Sequence, residues 1–284
     1  MIWWLLIAPM LAAAYLFLIA PNLRRRFRPK AQGLCRAFAH RGLHGAGVPE
    51  NSLAAFQLAA EKGYGVELDV RLTRDQRLVV LHDADIGRMT DGQGLVGDLT
   101  LKETQAHHLL GTQERIPSFD EALAVLAPHK TPLIVELKSA PGTGSSMPQM
   151  VLERLRKYPG FWCVESFDPR LMRWFKKHAP EVIRGQLAYD ARRAGEDGRT
   201  ILHALGAHLI TSLLSRPDFV AYRFDTDRNP SFRLVKSLFR PTLAAWTVTA
   251  IQDFKRLLDR YDLLIFEGFE PYNQEKNQEK EKEP

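Results

Sequence analysis

The sequence is poor in cysteine, with only Cys35 and Cys163 among 284 residues. So distant a pair lacks the ligand spacing of a zinc site and is too small for a disulfide framework, which excludes a cross-linked secreted fold. Both read as free thiols, as a reducing compartment permits. Repeats of fixed period are absent outside the last dozen residues, which leaves no sign of a repeat architecture. Excess charge is also scarce. The net value is +6, and Arg24, Arg25, Arg26, Arg28 and Lys30 stand together; without them little basic excess remains, which argues against a nucleic-acid partner. No charged side chain at all occurs from Ile2 to Ala20.

That charge-free run, at a rise of about 1.5 Å per residue, nearly reaches across a hydrocarbon core of roughly 30 Å. A cleaved signal peptide would carry a basic segment before the apolar run and a small-residue cleavage site after it. Here the basic residues follow instead. The expectation is one N-terminal transmembrane helix, with Trp3 and Trp4 at one interface and Pro9 tolerated in lipid. The positive-inside rule then keeps residues 24–30, and the catalytic domain after them, in the cytoplasm. The expected divisions are a membrane anchor over 1–21, a basic juxtamembrane linker over 22–35, a globular domain over 36–271 and a charged solvated tail over 272–284, whose NQEKNQEKEKEP has nothing apolar to bury.

In the globular part, short β-branched or apolar runs alternate with amphipathic stretches, the pattern of β-α units. Strands are expected near 36–40, 64–73, 78–82, 132–137, 161–166, 183–188, 207–211, 242–248 and 262–266. Helices are expected over 52–62, behind a cap at Asn51, and over 119–126, 150–157, 170–178 and 252–260. Only Arg74, Asp75, Gln76 and Arg77 connect the second and third runs, too few for a helical crossover, so these fold back as an antiparallel hairpin. Removing that extra strand leaves eight parallel ones, an α/β fold of the TIM (β/α)8 barrel type. With four loop residues, Thr73 faces Leu78, Arg71 faces Val80 and Asp69 faces His82.

Chemistry concentrates at the ends of these strands. Glu67 and Asp69 lie two apart, so their carboxylates leave one face of a strand about 6.6 Å apart along the backbone. Such a pair is either a solvated edge or a site for a hard divalent cation held by oxygen. The hairpin brings His82 and Asp83 beside it, where an isolated histidine would otherwise read as a packing residue. Glu136 and Lys138 repeat the two-apart arrangement at the end of another apolar strand, on the barrel face where such folds place their sites. His40, Arg41 and Gly42 close the first strand, and Pro49, Glu50 and Asn51 follow. Trp246, near the end of a strand, is either core or a stacking platform for a polar head group. The loop from Ser139 to Pro148, rich in Gly, Ser and Pro, reads as a linker rather than a lid.

HRG at 40–42, PENS at 49–52, ELDV at 67–70, HD at 82–83 and ELK at 136–138, in this order, resemble the glycerophosphodiester phosphodiesterase family. TDGQG at 90–94, IPSFDEAL at 116–123, ESF at 165–167 and WTV at 246–248 are looser echoes. The resemblance implies metal ligation by Glu67, Asp69 and Glu136, and an acid-base pair of His40 and His82. It implies a glycerophosphodiester as substrate. The expected anchor, by holding the domain against a bilayer, opens an alternative, a lysophospholipase D-like or phospholipase C-like lipid phosphodiesterase acting on a lysophospholipid, and a third reading is a non-catalytic barrel that binds lipid head groups. Mg²⁺ or Ca²⁺ suits an all-carboxylate site better than zinc. Arg41 suits a phosphate oxygen through its planar fork, and Lys138 a developing negative charge. The sequence departs from the family pattern at Ser52, which keeps the hydroxyl of the usual threonine, and at Thr249 and in YDLLIFEGFEP near the end, so the rim by the last strand is expected to take a different head group.

Overall fold

The computed structural model describes residues 2–24, 27–29, 33–140, 146–196 and 200–272, with side chains from residue 7 onward. Arg25, Arg26 and Lys30, the middle of the Gly/Ser-rich loop and the charged tail from 273 lie outside the described residues. Eight parallel strands close on themselves: β1 (Ala37–His40), β2 (Gly65–Leu72), β4 (Leu133–Leu137), β5 (Trp162–Ser166), β6 (Arg184–Ala188), β7 (Phe219–Arg223), β8 (Thr242–Val248) and β9 (Leu263–Phe266). Pairing of β1 with both β9 and β2 completes the circle, and β3 (Leu78–Val80) adds an antiparallel edge to β2. The expected barrel with one extra hairpin strand is present.

Closure needs the interior filled, and the lower layer holds Phe38, Ile134, Cys163, Leu187 and Phe219. Two phenyl rings fit there because their neighbours have no side chains. A Cβ on Gly65 would lie 2.5 Å from the Phe38 ring, and one on Gly185 would strike Phe219. Phe27, outside any strand, plugs this end by stacking on Phe161 at 5.7 Å and tilting against Phe219 at 6.2 Å.

Outside the barrel lie α2 (Leu53–Glu61), α3 (Leu101–Thr104), α4 (Phe119–Leu126), α5 (Ser146–Leu155), α6 (Pro169–His178), α7 (Ile201–Ala207), α8 (Ser212–Ser215), α9 (Pro230–Leu238) and α10 (Ile251–Leu257). Their buried faces meet the outward-facing apolar residues of the strands in one continuous core.

Three expectations need correction. The hairpin is slipped by one residue: Leu72 faces Leu78 and Arg71 faces Val79, because Gln76 takes a left-handed turn and Thr73 N–H closes on Arg77 O. Asp69 therefore lies opposite Leu81, whose N–H it accepts at 3.1 Å. Residues 207–211 form the end of α7 and a turn, with Leu209 at φ 57°, and the seventh barrel strand is Phe219–Arg223. The cap of α2 is Ser52, whose Oγ accepts the Ala55 N–H, and not Asn51.

The apolar N-terminal run forms α1 (Ile2–Ile19). Among the described residues no helix is long and apolar enough to cross a membrane, so the expected span finds no support. The physical reason lies in the last turns of α1, which belong to the barrel. Ile19 is fully buried, Tyr15 Oη lies 2.5 Å from Ser231 Oγ, and Arg216 donates to the carbonyls of Phe17 and Ala20 at 2.7 and 2.8 Å.

Candidate active site

Alternation along β2 sends Glu67 and Asp69 to one face, and the register of β2 with β4 sets Asp69 directly beside Glu136. All three are buried, and one oxygen from each lies within 4.8 Å of the others. Lys138 Nζ stands 2.7 Å from Glu136 Oε2 and 3.0 Å from Asp69 Oδ1. Asn51 Nδ2 donates to Asp69 Oδ2 at 2.8 Å, and Arg41 N–H donates to Glu67 Oε2 at 3.1 Å.

Burial pushes the Glu67 and Glu136 carboxyls up, and mutual repulsion adds to the rise. Burial would raise Asp69 too, but Lys138, His82 and Arg41 pull it well below the carboxylate range. Glu165, one strand over, is buried beside Glu136, leaves its Oε2 without a hydrogen bond, and is likewise raised by burial. Four buried carboxyls thus face two cations, Arg41 and Lys138. That excess of hard oxygen donors, with Glu165 Oε2 buried and without a hydrogen bond, fits a divalent cation.

The two histidines flank this cluster, each tied at Nδ1 to its own carboxylate. His40 Nδ1 lies 2.6 Å from Glu267 Oε2, and its Nε2 points into the site, 3.9 Å from Glu67 Oε2. His82 Nδ1 lies 2.6 Å from Asp83 Oδ1, and Arg88 grips Asp83 through Nε. The hydrogen bond with His40 lowers Glu267 to about 2. Burial works against ionising Asp83, yet Arg88 and His82 bring it to about 2 as well. A carboxylate at Nδ1 fixes the tautomer and leaves Nε2 to exchange a proton. Burial lowers His82 below its ordinary value.

The local folding explains why the motif residues stand together. Arg41 takes φ 56°, an uncommon left-handed conformation, which turns its chain back over the cluster. Gly42 follows at φ 81°, where a Cβ would lie 2.8 Å from that of Ala55. Asn51 N–H donates to Arg41 O at 2.8 Å, so the second motif is stitched to the first. Glu50, which sequence reasoning left without a role, accepts from Arg41 Nη1 at 2.8 Å and from Arg88 Nη2 at 2.6 Å. Arg41 Nε is buried without a hydrogen bond, 3.4 Å from Asp69 Oδ2.

Of the expected site residues, Glu67, Asp69, Glu136, His40, His82, Arg41 and Lys138 gather in one cluster. Trp246 stands apart, edge-to-face with Phe167 at 5.5 Å and near Tyr189 at 6.0 Å, a triangle on the same rim. Glu267 was missed. Its signal was available, because it ends the apolar strand LLIF as Glu136 ends its own apolar run.

A model of the glycerophosphoryl diester phosphodiesterase family matches residues 40–260. The chain belongs to that family. Among its relatives, a glycerophosphodiester phosphodiesterase of Caldanaerobacter subterraneus subsp. tengcongensis is 35% identical over 158 residues, covering 52% of this chain and 65% of that protein. Glycerophosphodiester phosphodiesterase 1 of Homo sapiens is 38% identical over 128 residues, covering 42% of this chain and 38% of that protein. The chain thus spans less than two thirds of either relative's own length. An Oleispira antarctica phosphodiesterase, solved in complex with the product sn-glycerol-3-phosphate, matches with a TM-score of 0.68 at 23% identity, covering 88% of this chain and 98% of that one. This last likeness supports the barrel fold, and the family's matched segment begins at His40 and takes in every clustered residue except Glu267.

Proposed function

We propose that this chain hydrolyses glycerophosphodiesters to glycerol 3-phosphate and an alcohol. The observation that carries the reading is a buried three-carboxylate cluster flanked by two histidine–carboxylate pairs on one rim of the barrel. A phosphodiester is anionic and its alcohol leaves poorly unless protonated, so hydrolysis needs charge neutralisation and proton transfer at both ends. A divalent cation held by Glu67, Asp69 and Glu136, Mg²⁺ or Ca²⁺ by its preference for oxygen, would supply much of the neutralisation.

The chain's own residues do the rest. Arg41, oriented by Glu50, binds a non-bridging phosphate oxygen through its fork, and Lys138 stabilises the negative charge that develops on the phosphoryl oxygens. One imidazole takes a proton from the attacking oxygen as it bonds to phosphorus, that oxygen being either of water directly or of the glycerol 2-hydroxyl, whose cyclic phosphate water then opens. The other protonates the alcohol oxygen as its bond to phosphorus breaks. Glu267 and Asp83 hold His40 and His82 in the tautomer this requires and stabilise the imidazolium that forms. Incubating the purified chain with glycerophosphocholine and measuring glycerol 3-phosphate release, with and without chelator, tests the reading. Absence of turnover with every divalent cation tried would overturn it.

A second reading keeps the site and changes the substrate to a lysophospholipid, and the partly exposed Phe167 beside Trp246 and Tyr189 favours it by giving the rim an apolar lip. A barrel that only binds head groups would be expected to have lost a ligand or a histidine, and all five residues are in place. We also place the chain at a membrane through its apolar N-terminal helix, with the barrel on the cytoplasmic side. The uncharged run of residues 2–20 and the basic residues after it support this placement.

A further inference from the structure

The direction of α1 decides which end of the barrel meets a membrane. Asn22 N–H donates to Pro217 O, and its side chain to Asp218 Oδ1 at 2.7 Å, just before β7 begins, so this point lies at the rim opposite the catalytic cluster. Seven residues earlier, Tyr15 reaches Ser231, in the first turn of α9, which follows the catalytic end of β7. Phe232 stacks on Tyr222, near that end of β7, at 4.2 Å, which fixes the height of Ser231. Traced toward its N-terminus, α1 therefore climbs beside β7 and leaves the barrel on the side of the catalytic mouth. The part beyond Tyr15, residues 2–14, extends for about 20 Å. That stretch is shorter than the roughly 30 Å of a hydrocarbon core.

We infer that the free part of α1 inserts into a lipid bilayer so that the catalytic mouth faces the bilayer surface. This rests on the membrane placement proposed above. Residues 7–14 are all exposed and all uncharged and predominantly apolar, covering every side of more than two turns. A protein groove covers one stripe of a helix, whereas hydrocarbon covers its whole circumference. The barrel offers matching features at the same height. His208, at the end of α7, bonds Ser231 Oγ at 2.6 Å, and the helix rises from there to Ile201 and Leu202, exposed by 77% and 72%. Arg192 and Arg193, exposed in the loop before α7, suit anionic head groups. Tyr189, just before that loop, joins Phe167 and Trp246 in the aromatic triangle on the rim.

The test uses the full chain with vesicles of phosphatidylcholine and phosphatidylglycerol. An environment-sensitive dye is attached at Leu11→Cys, Leu202→Cys or His129→Cys, each in a Cys35→Ser background, since Cys163 is fully buried. His129 is exposed between α4 and β4, at the opposite rim. Flotation with the vesicles is expected, with quenching by brominated lipid on the order of fivefold stronger at positions 11 and 202 than at 129. Failure to float, or flotation unchanged after deletion of residues 2–14, would remove the membrane placement itself and leave the enzymatic reading to its own assay. Flotation with equal quenching at all three positions, or the strongest at 129, would keep the placement and overturn the orientation. A stable dimer with position 11 shielded in the absence of lipid would assign α1 to a second copy and overturn it as well.

Discussion

A carboxylate bound to a histidine through Nδ1 does different work from one bound to a metal, and the two sets here separate by geometry. Glu67, Asp69 and Glu136 converge on one point, whereas Glu267 and Asp83 each face one imidazole. Glu67→Gln or Asp69→Asn is expected to abolish Mg²⁺ or Ca²⁺ binding by calorimetry, and exhaustive EDTA treatment to abolish turnover. His82→Ala should retain the cation while kcat falls by roughly 10² to 10⁴; near-normal turnover in that variant would remove His82 from the proton transfer. The acid side of stability follows from the same pairs. Glu267 and Asp83 are each held at about 2, below ordinary values of 4.5 and 3.8. Their contribution to folding is whole above those ordinary values and is lost as pH falls through the folded ones. Urea midpoints should therefore drop between about pH 5 and pH 2, and the drop should shrink in Glu267→Gln and Asp83→Asn. An unchanged slope in both would show that the pairs do not stabilise the fold. The clustered carboxylates Glu67, Asp69 and Glu136 and both histidines were legible as short motifs. Glu267 was not, because its surroundings depart from the family pattern and only its place after an apolar strand marks it.

Strands were more legible than the turns that set their register. β2 (GVELDVRL) and β4 (LIVEL) carry branched aliphatic residues with the acids interleaved among them, a pattern that marks both as strands. The hairpin slipped by one residue because the left-handed Gln76, a backbone choice no hydrophobic pattern encodes, lengthens the turn. Residues 207–211, AHLIT, read as a strand, yet Leu209 at φ 57° cannot continue an extended chain, and FVAYR at 219–223 supplies β7. Phe27 lies in the segment read as a linker, and its stacking partner Phe161 lies more than a hundred residues away, so nothing local announces its contact. It is 3% exposed, and Thr242 Oγ1 donates to its carbonyl. Phe27→Ala should cost about 3 to 5 kcal/mol, the usual range for emptying a buried phenyl site, measured by urea denaturation. A cost near zero would mean that this end of the barrel closes without it.

At the scale of the whole molecule, composition alone cannot say how a helix sits on its domain. Residues 2–20 are long enough by count to approach a span, but docking of Tyr15, Ile19 and Ala20 on the barrel commits the last turns to protein contacts. A helix that embeds from one face leaves the barrel on the side from which it enters. The two cysteines are free, as a reducing compartment permits. The cytoplasmic placement proposed above rests on the sequence alone, on the basic residues from Arg24 onward that follow the uncharged run. The exposed His129, changed to cysteine in the Cys35→Ser chain, should then resist a membrane-impermeant maleimide in intact cells and react once the membrane is permeabilised. Brisk labelling before permeabilisation would put the barrel outside. It would also separate sidedness from orientation, since a mouth facing the outer surface of the same bilayer would still quench at positions 11 and 202.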